Sequence, residues 1–253
     1  MESALFTVNP KSYSRIAVVG DLHGDCRSLN SIIELVNLEF DLLVFLGDYA
    51  DRGPDGVEVI RIVAKLQKEH PKNVVPLMGN HEDYTEDGYP KFNPCTLIVE
   101  AENKVKNWDC YFQTEFKPFI SALHLCVLVP NNALLVHGGV SSKIKSLKDL
   151  QKPSDKLRID LLWSDPTEGK GEERNWMRGV GVAWGADVSE TVCNAIGVKR
   201  IIRSHQPQLA ESGPFVSHGG KVITVNATEV YGGLPFVYFI DPLSTKKDYY
   251  KAV

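Results

Sequence analysis

The segment AVVGDLHGDCRSL at residues 17–29 decides the fold, because a short apolar run leads directly into Asp21, His23 and Asp25. The β-branched residues of this run favour a strand, and the glycines among the polar residues allow a sharp turn after it. Carboxylate and imidazole groups are also common metal ligands. A polar turn explains one such segment just as simply, so the interpretation depends on whether the pattern recurs.

The overall composition is typical of one globular domain. Of the 253 residues, 43% are hydrophobic and 24% are charged, with a formal net charge of −4, which predicts a single domain over residues 1–253. A slightly acidic chain disfavours binding to nucleic acid or to a membrane surface. No apolar run approaches the roughly 18 residues of a membrane span, and the N-terminus lacks the regions of a signal peptide.

The cysteines are odd in number and no two have metal-ligand spacing. This favours free thiols in a cytoplasmic protein over a disulfide framework. They are Cys26, Cys95, Cys110, Cys126 and Cys193.

The order of apolar segments predicts an α/β fold. Eight short apolar runs favour strands; they are RIAVVGD, DLLVFLGD, NVVPLMGN, LHLCVLVP, NALLVHGG, VKRIIRSH, KVITVNA and PFVYFID. Helical spacing follows Asp25 and Pro54, with apolar positions at Leu29, Ile32, Ile33 and Val36, and at Val59, Ile62, Val63 and Leu66. The N-terminal half is therefore β-α-β-α-β with a largely parallel sheet. Residues 141–180 predict surface helix and loop, and residues 235–253 predict a hairpin.

The pattern of the first segment recurs at the ends of four further strands. The polar residues that follow the five strands are Asp21 and His23, then Asp48, then Asn80 and His81, then His137, then His205. Because the carboxyl ends of parallel strands lie along one edge of a sheet, these side chains are expected to converge. Five separate solvated turns are a poorer explanation than one metal site.

The donor types narrow the choice of metal. Carboxylate, amide and imidazole groups without a thiolate suit Mn²⁺, Fe or Zn²⁺. Six ligands are too many for one tetrahedral ion but suit two ions that share a bridging ligand. Such pairs generate hydroxide at neutral pH and stabilise both oxygens of an in-line displacement, which favours phosphoester hydrolysis.

The motifs resemble those of a known superfamily. GDLHG, GDYADRG, GNHE and HGG, followed by a later histidine, resemble the metallophosphoesterases. LLWSDP at 161–166, MRGVGVAWG at 177–185 and RSHQ at 203–206 resemble the phosphoprotein phosphatases, the family of the type-1 and type-2A serine/threonine phosphatases. The resemblance covers residues 20 to 233. It implies an α/β fold in which two mixed β-sheets form a sandwich flanked by α-helices.

The resemblance also implies a role for each motif residue. Asp21, His23 and Asp48 would hold one metal ion, and Asp48, Asn80, His137 and His205 the other. A metal-bridging hydroxide would attack phosphorus in line. His81 would protonate the leaving alkoxide, with Asp51 orienting it. Arg52, Asn80 and Arg178 would bind the phosphate. Tyr231 would face the substrate, and Asp165 would support the site from outside it.

The sequence departs from the family pattern in one loop and in length. Residues 226–233 read NATEVYGG, with Gly232 where the family commonly has a cysteine. The short chain favours a prokaryotic member. The predicted function is a serine/threonine phosphatase acting on phosphorylated proteins as a monomer. The alternatives are a diadenosine tetraphosphate hydrolase, a broad-specificity Ser/Thr/Tyr phosphatase or an inactive metal-binding module.

Several residues of the common ligand and binding types have a simpler interpretation. His218, in a second His-Gly-Gly, precedes a predicted strand and is expected in a hairpin turn. Asp25 is expected to cap the first helix. Trp163, Trp176 and Trp184 either line a substrate groove or belong to the core.

Overall fold

The structure is a computed structural model that describes residues 4–253. Within this range the strands are β1 Leu5–Thr7, β2 Ile16–Val19, β3 Leu42–Phe45, β4 Val74–Pro76, β5 Cys126–Val129, β6 Ala133–Val136, β7 Asp165–Pro166, β8 Glu172–Arg174, β9 Val182–Trp184, β10 Arg200–Arg203, β11 Phe215–Ser217, β12 Val222–Thr224, β13 Phe236–Asp241 and β14 Ser244–Ala252. The α-helices are α1 Cys26–Leu35, α2 Gly56–Glu69, α3 Leu97–Val105, α4 Trp108–Tyr111, α5 Lys117–Ser121, α6 Leu147–Gln151, α7 Asp155–Trp163 and α8 Ala186–Ile196.

Two mixed sheets form the centre of the molecule. One has the strand order β1-β5-β6-β10-β12-β11 and the other the order β14-β13-β2-β3-β4. In the second sheet β2, β3 and β4 are parallel, whereas β13 runs antiparallel to β2. The predicted α/β fold with two mixed sheets is thereby confirmed.

Alternation along the strands divides the apolar side chains into two layers. One face of each sheet contributes to a shared apolar cluster, which includes Val18, Val44, Val127, Leu135 and Ile202. The opposite faces belong to a second cluster that also contains residues of the flanking helices, such as Leu29 and Val63. Strands covered on both faces must be apolar throughout, which explains the continuous runs in the sequence.

The two predicted helices connect the parallel strands. The carboxylate of Asp25 accepts a hydrogen bond from Ser28 N at 2.9 Å and so caps α1, as predicted. Helix α1 buries Leu29 and Ile32, and α2 buries Val59 and Val63. The order β2-α1-β3-α2-β4 confirms the predicted β-α-β-α-β unit and aligns the carboxyl ends of its strands.

A third sheet lies in the region predicted as surface helix and loop. Helices α6 and α7 agree with that prediction. The prediction did not include the small sheet that this region also forms, with the strand order β7-β9-β8. These strands have two or three residues, and β8 reads Glu-Glu-Arg. Such segments carry no apolar alternation, so the sequence had no periodic signal for them.

Three further predictions can be compared with the described residues. Strands β13 and β14 pair as the predicted C-terminal hairpin. All five cysteines are free. Among the helices of residues 4–253, none has both the length and the apolar character needed to cross a membrane.

Candidate metal and active site

The carboxyl ends of five strands converge where the two sheets meet. Strands β2, β3 and β4 of one sheet and β6 and β10 of the other lead into the predicted site residues. The six predicted metal ligands are all nearly or fully buried: Asp21, His23, Asp48, Asn80, His137 and His205. Their ligand atoms form two clusters, one around His23 and one around His137, and Asp48 lies next to both imidazoles.

The backbone at these strand ends is strained. Positive φ angles occur at His23 (46°), Asp48 (56°), Asp51 (67°), Arg52 (73°) and His205 (66°). A left-handed conformation at such residues costs on the order of 1–3 kcal/mol and is kept only where the surrounding structure imposes it. The conformation therefore serves to aim these side chains.

The first cluster surrounds the imidazole of His23. Its Nδ1 donates to the carbonyl of Ala50 at 2.9 Å, so its Nε2 carries the lone pair. That Nε2 lies 3.5 Å from Asp48 Oδ2 and 3.8 Å from Asp21 Oδ2. Asp21 Oδ1 accepts from His205 N at 3.0 Å, but its buried Oδ2 has no hydrogen-bond partner. Three electron-pair donors thus face one another.

The second cluster surrounds the imidazole of His137. Its Nδ1 donates to the carbonyl of Leu46 at 3.0 Å, which again leaves the lone pair on Nε2. Asn80 Oδ1 lies 3.0 Å from this Nε2, His205 Nδ1 lies 3.1 Å from it, and Asp48 Oδ1 lies 3.4 Å from it. The two oxygens of Asp48 therefore point to different clusters.

The charge state of these groups favours a cation at each cluster. Burial lowers the pKa of His23 to about 4 and those of His137 and His205 well below their usual range. The imidazoles are neutral at pH 7 and supply lone pairs. Burial, together with the nearby carboxylates of Asp21 and Glu82, raises the pKa of Asp48. Lone pairs, a carboxyl oxygen without a partner and a shared aspartate fit two divalent cations.

His81 lies beside the first cluster and is fixed by Asp51. Its Nδ1 donates to Asp51 Oδ2 at 2.8 Å. Asp51 Oδ1 accepts from the backbone N–H groups of Thr96 (2.5 Å) and Leu97 (2.8 Å) at the start of α3. Burial opposes ionisation of Asp51, but the bond from His81 and these N–H donors outweigh it and lower its pKa. Asp51 is therefore a charged acceptor that holds the imidazole of His81 in one orientation.

The position of His81 is compatible with two roles. One of its ring nitrogens forms a group with ligand atoms of His23 and Asp48 that all lie within 4.8 Å of one another. The ring could therefore hold a metal ion or carry a proton. Because Nδ1 is already bonded to Asp51, Nε2 is the atom available for either role.

Two arginines lie at the entrance to the clusters. Arg52 and Arg178 line a cavity of about 150 Å³, together with Tyr231 and the ligands His23, Asp48, Asn80 and His205. Arg178 donates from Nε to Asp165 Oδ2 at 2.9 Å and from Nη2 to His205 O at 3.2 Å. Asp165 therefore holds Arg178 in place. Tyr231 Oη lies 3.4 Å from His23 Nε2.

Arg52 is held through its backbone. Its N–H donates to Thr96 Oγ1 at 3.1 Å, and the same hydroxyl lies 3.3 Å from Asp51 Oδ1. The Thr96 hydroxyl therefore contacts both Arg52 and Asp51. Its role was not predictable, because nothing in a single sequence links positions 51 and 96.

Glu82 is a second residue that the sequence analysis missed. Its fully buried carboxylate accepts from Asp48 N at 2.8 Å, Gly79 N at 2.9 Å and Tyr49 N at 3.0 Å. Burial raises its pKa to about 7, although the three donors act in the opposite direction. Glu82 ties the loop after β3 to the loop after β4. The signal for it was an acidic residue inside the quoted GNHE motif.

Two further residues, one expected in a turn and one left open between groove and core, have structural positions. His218 occupies a 3₁₀ turn between β11 and β12, where its Nδ1 contacts Ser189 Oγ at 2.8 Å and its Nε2 contacts Thr167 O at 3.0 Å. This confirms the hairpin turn. Trp184 is fully buried, so it belongs to the core.

Known proteins with similar sequences are phosphoesterases and protein phosphatases. The sequence profile described as calcineurin-like phosphoesterase matches residues 14–209. A putative serine/threonine-protein phosphatase of Caenorhabditis elegans is 32% identical over 228 residues, which cover 85% of this chain and 59% of that protein. The serine/threonine-protein phosphatase PP1-delta of the same organism is 29% identical, with 92% of this chain and 74% of that protein covered. This chain thus spans little more than half the length of the first relative.

A solved structure is similar over nearly the whole chain. It is a protein serine/threonine phosphatase from Saccharomyces cerevisiae, described as similar to human phosphatase PP5. The two chains are 25% identical, with a TM-score of 0.83 and coverage of 99% of this chain and 84% of the other. Together with the profile match over residues 14–209, these similarities show that the chain belongs to the calcineurin-like phosphoesterase family.

Proposed function

We propose that this chain is a dimetal-dependent protein serine/threonine phosphatase. The observation that carries the proposal is the pair of ligand clusters that share Asp48, next to a cavity lined by Arg52 and Arg178. The similarity to proteins named as serine/threonine phosphatases supports this class of substrate. We place the activity in one catalytic domain, residues 1–253.

The donor atoms divide between two ions. The first ion would be held by Asp21, His23 and Asp48, and the second by Asp48, Asn80, His137 and His205. When bound, two such ions polarise the phosphate and activate water as a nucleophile at neutral pH. Oxygen and imidazole donors without thiolate match Mn²⁺, which we propose for assays, and also Fe and Zn²⁺.

The two arginines bind the phosphate group of the substrate. Planar guanidinium groups match the oxygens of a phosphate and stabilise the charge that builds up in the transition state. Arg178 is preoriented by Asp165, so little side-chain freedom is lost on binding. Asn80 directs Oδ1 towards His137, which leaves its NH₂ group to donate to phosphate.

The size of the cavity favours a substrate that lies mostly outside it. Its volume of about 150 Å³ is smaller than the roughly 300–1,000 Å³ of sites that enclose a whole small-molecule ligand. A phosphoryl group fits, whereas the remainder of the substrate must lie on the surface. A phosphorylated side chain on a protein meets this condition.

His81 supplies the proton that the leaving oxygen needs. With Nδ1 bonded to the ionised Asp51, the ring is held in one orientation. Nε2 is then the atom that gives its proton to the serine or threonine oxygen. The backbone of Arg52 is linked to Asp51 through the Thr96 hydroxyl. The proton donor and this phosphate-binding residue are therefore held close to each other.

The test is phosphate release by the purified chain loaded with Mn²⁺. The substrates are a phosphothreonine peptide, a phosphotyrosine peptide and diadenosine tetraphosphate, with Asp48→Asn as the blank. We expect turnover of the phosphothreonine peptide that is abolished in Asp48→Asn. Equal turnover of both peptides would replace the proposal with a broad-specificity phosphatase, preference for the dinucleotide would replace it with a nucleotide hydrolase, and no turnover would contradict it.

We propose further that the chain acts as a monomer on phosphorylated proteins in the cytoplasm. The five free cysteines support a reducing compartment. A native mass measurement and the location of a tagged chain test these two points. A prokaryotic origin stays a prediction.

A further inference from the structure

Two large apolar side chains are exposed on the turn that carries Arg178. Trp176 is 73% exposed and Met177 is 94% exposed. They lie in the turn at residues 175–181, which joins the antiparallel strands β8 and β9. Adjacent exposed residues of this size are a typical feature of interaction sites.

The turn is rigid on both sides of this pair. The buried Asn175 donates from Nδ2 to Asp165 Oδ2 at 3.0 Å and accepts from Arg178 N at 3.2 Å through Oδ1. Gly179 N closes the turn on Asn175 O at 2.9 Å. Residues 175 and 178 are thus fixed to the site, and the two apolar residues between them are exposed.

The exposed indole is itself held in place. The guanidinium carbon of Arg174 lies 4.7 Å from the centroid of the Trp176 ring, within the range of a cation–π contact. Arg174 Nη2 also donates to Gly179 O at 3.2 Å. Because the ring is preoriented, a partner loses little free energy in ordering it.

The position of the pair points to the substrate protein as its partner. Arg178 lines the phosphate cavity, and two residues span at most about 7 Å, so the Cα atom of Trp176 lies within that distance of the Cα atom of Arg178. An extended peptide advances about 3.3 Å per residue. A substrate whose phosphate contacts Arg178 therefore passes the turn within a few residues.

We propose that Trp176 and Met177 bind an apolar side chain of the phosphoprotein substrate, about two to four residues from the phosphorylated residue. The inference deepens the proposed function and rests on it. It predicts that the enzyme prefers substrates with apolar residues near the phosphorylated residue, although the chain itself is acidic overall, with a formal net charge of −4.

The test measures binding separately from turnover. Two labelled peptides carry a non-hydrolysable difluoromethylene phosphonate in place of phosphoserine and differ only in leucine or asparagine at the flanking positions. Fluorescence anisotropy gives their Kd values with the Mn²⁺-loaded wild-type chain, with the double variant Trp176→Ala/Met177→Ala and with Leu243→Ala. Leu243 is 70% exposed in the turn between β13 and β14 and serves as the matched control.

We expect the wild type to bind the leucine peptide about tenfold more tightly than the asparagine peptide, since burial of one apolar side chain accounts for a factor of this size. The double variant should bind both peptides alike, whereas Leu243→Ala should keep the wild-type ratio. A ratio near one in the wild type, or a ratio unchanged in the double variant, would overturn the inference.

Three further outcomes distinguish this inference from a second copy as the occupant and from the proposed function. A dimer in sedimentation that dissociates in the double variant would identify a second copy of the chain as the occupant, and would contradict substrate docking. Turnover of phosphopeptides without any leucine preference would leave the phosphatase in place and reject the docking role. Leucine preference in binding without turnover of any phosphopeptide would contradict the phosphatase alone.

Discussion

Replacement of Asp51 by asparagine tests how His81, the proposed proton donor, is oriented. Asp51 Oδ1 accepts from two backbone N–H groups at the start of α3, and Oδ2 accepts from His81 Nδ1. An asparagine has one acceptor and one donor end, so it must choose between these partners.

The energetic cost of unsatisfied donors decides which way the new amide group points. If the amide oxygen faced His81, the NH₂ group would oppose the N–H groups of Thr96 and Leu97, and two unsatisfied donors cost about 2–6 kcal/mol in total. If the oxygen faces α3, both donors stay bonded and the NH₂ group donates to His81 Nδ1. The second orientation is favoured, and it leaves a neutral His81 with its proton on Nε2.

A neutral imidazole is a much weaker acid than an imidazolium. We therefore expect Asp51→Asn to lower kcat on a phosphoserine peptide by roughly 10²–10⁴-fold, the usual contribution of a general acid. p-Nitrophenyl phosphate should lose no more than about tenfold, because its leaving group is a stable anion that needs no proton. The assay compares both substrates at saturating concentration with the Mn²⁺ content measured alongside.

Asp165→Asn provides the matched control. It removes the same charge from a buried aspartate, but this one orients Arg178, the residue proposed to bind phosphate in both substrates. Its loss of activity should be similar for the peptide and for p-nitrophenyl phosphate. An equal loss on both substrates in Asp51→Asn as well would refute the assignment of His81 as proton donor.

Three further predictions concern metal content and stability. His81→Ala should retain two Mn²⁺ ions per chain by elemental analysis, whereas His137→Ala should lose one; loss of an ion in His81→Ala would make His81 a ligand. Glu82→Gln should lower the free energy of unfolding by about 1–3 kcal/mol, because its NH₂ group leaves the buried N–H of Tyr49 without an acceptor; an unchanged denaturant midpoint would contradict this. Asp25→Ala should cost about 0.5–2 kcal/mol through loss of the α1 cap, and Asp25→Asn, which keeps the cap, should cost less.

Much of the fold was predictable because its signals are local. Strands covered on both faces produce continuous apolar runs, and the helices between them repeat apolar residues at helical spacing. The residue that follows each parallel strand then falls at one sheet edge, so the grouping of Asp21, Asp48 and Asn80 follows from chain order, whereas His137 follows a strand of the other sheet. The small sheet of β7, β8 and β9 lacked both signals, because its strands have only two or three residues and β8 is fully polar.

The detailed geometry depends on contacts between distant residues, which a single sequence does not reveal. Asp48 directs one oxygen to each cluster only because its backbone adopts a φ of 56°. That conformation is stabilised by Glu82, 34 positions later, which binds the N–H of Asp48. In the same way Asp51 and Thr96 meet across 45 positions. Types of ligand are readable from sequence, whereas their orientation is a property of the folded loops.

The turn at residues 175–181 shows why orientation and specificity are linked in this molecule. Its Asn175 and Arg178 are both attached to Asp165, which is itself bound to Arg203 at 3.0 Å in the core. These bonds to Asp165 hold Arg178 at the cavity, and they also fix the backbone between Asn175 and Arg178. Because Trp176 and Met177 lie between these two residues, their backbone is fixed relative to the arginine that lines the cavity. A substrate that binds Arg178 as proposed would therefore also lie beside these exposed apolar side chains.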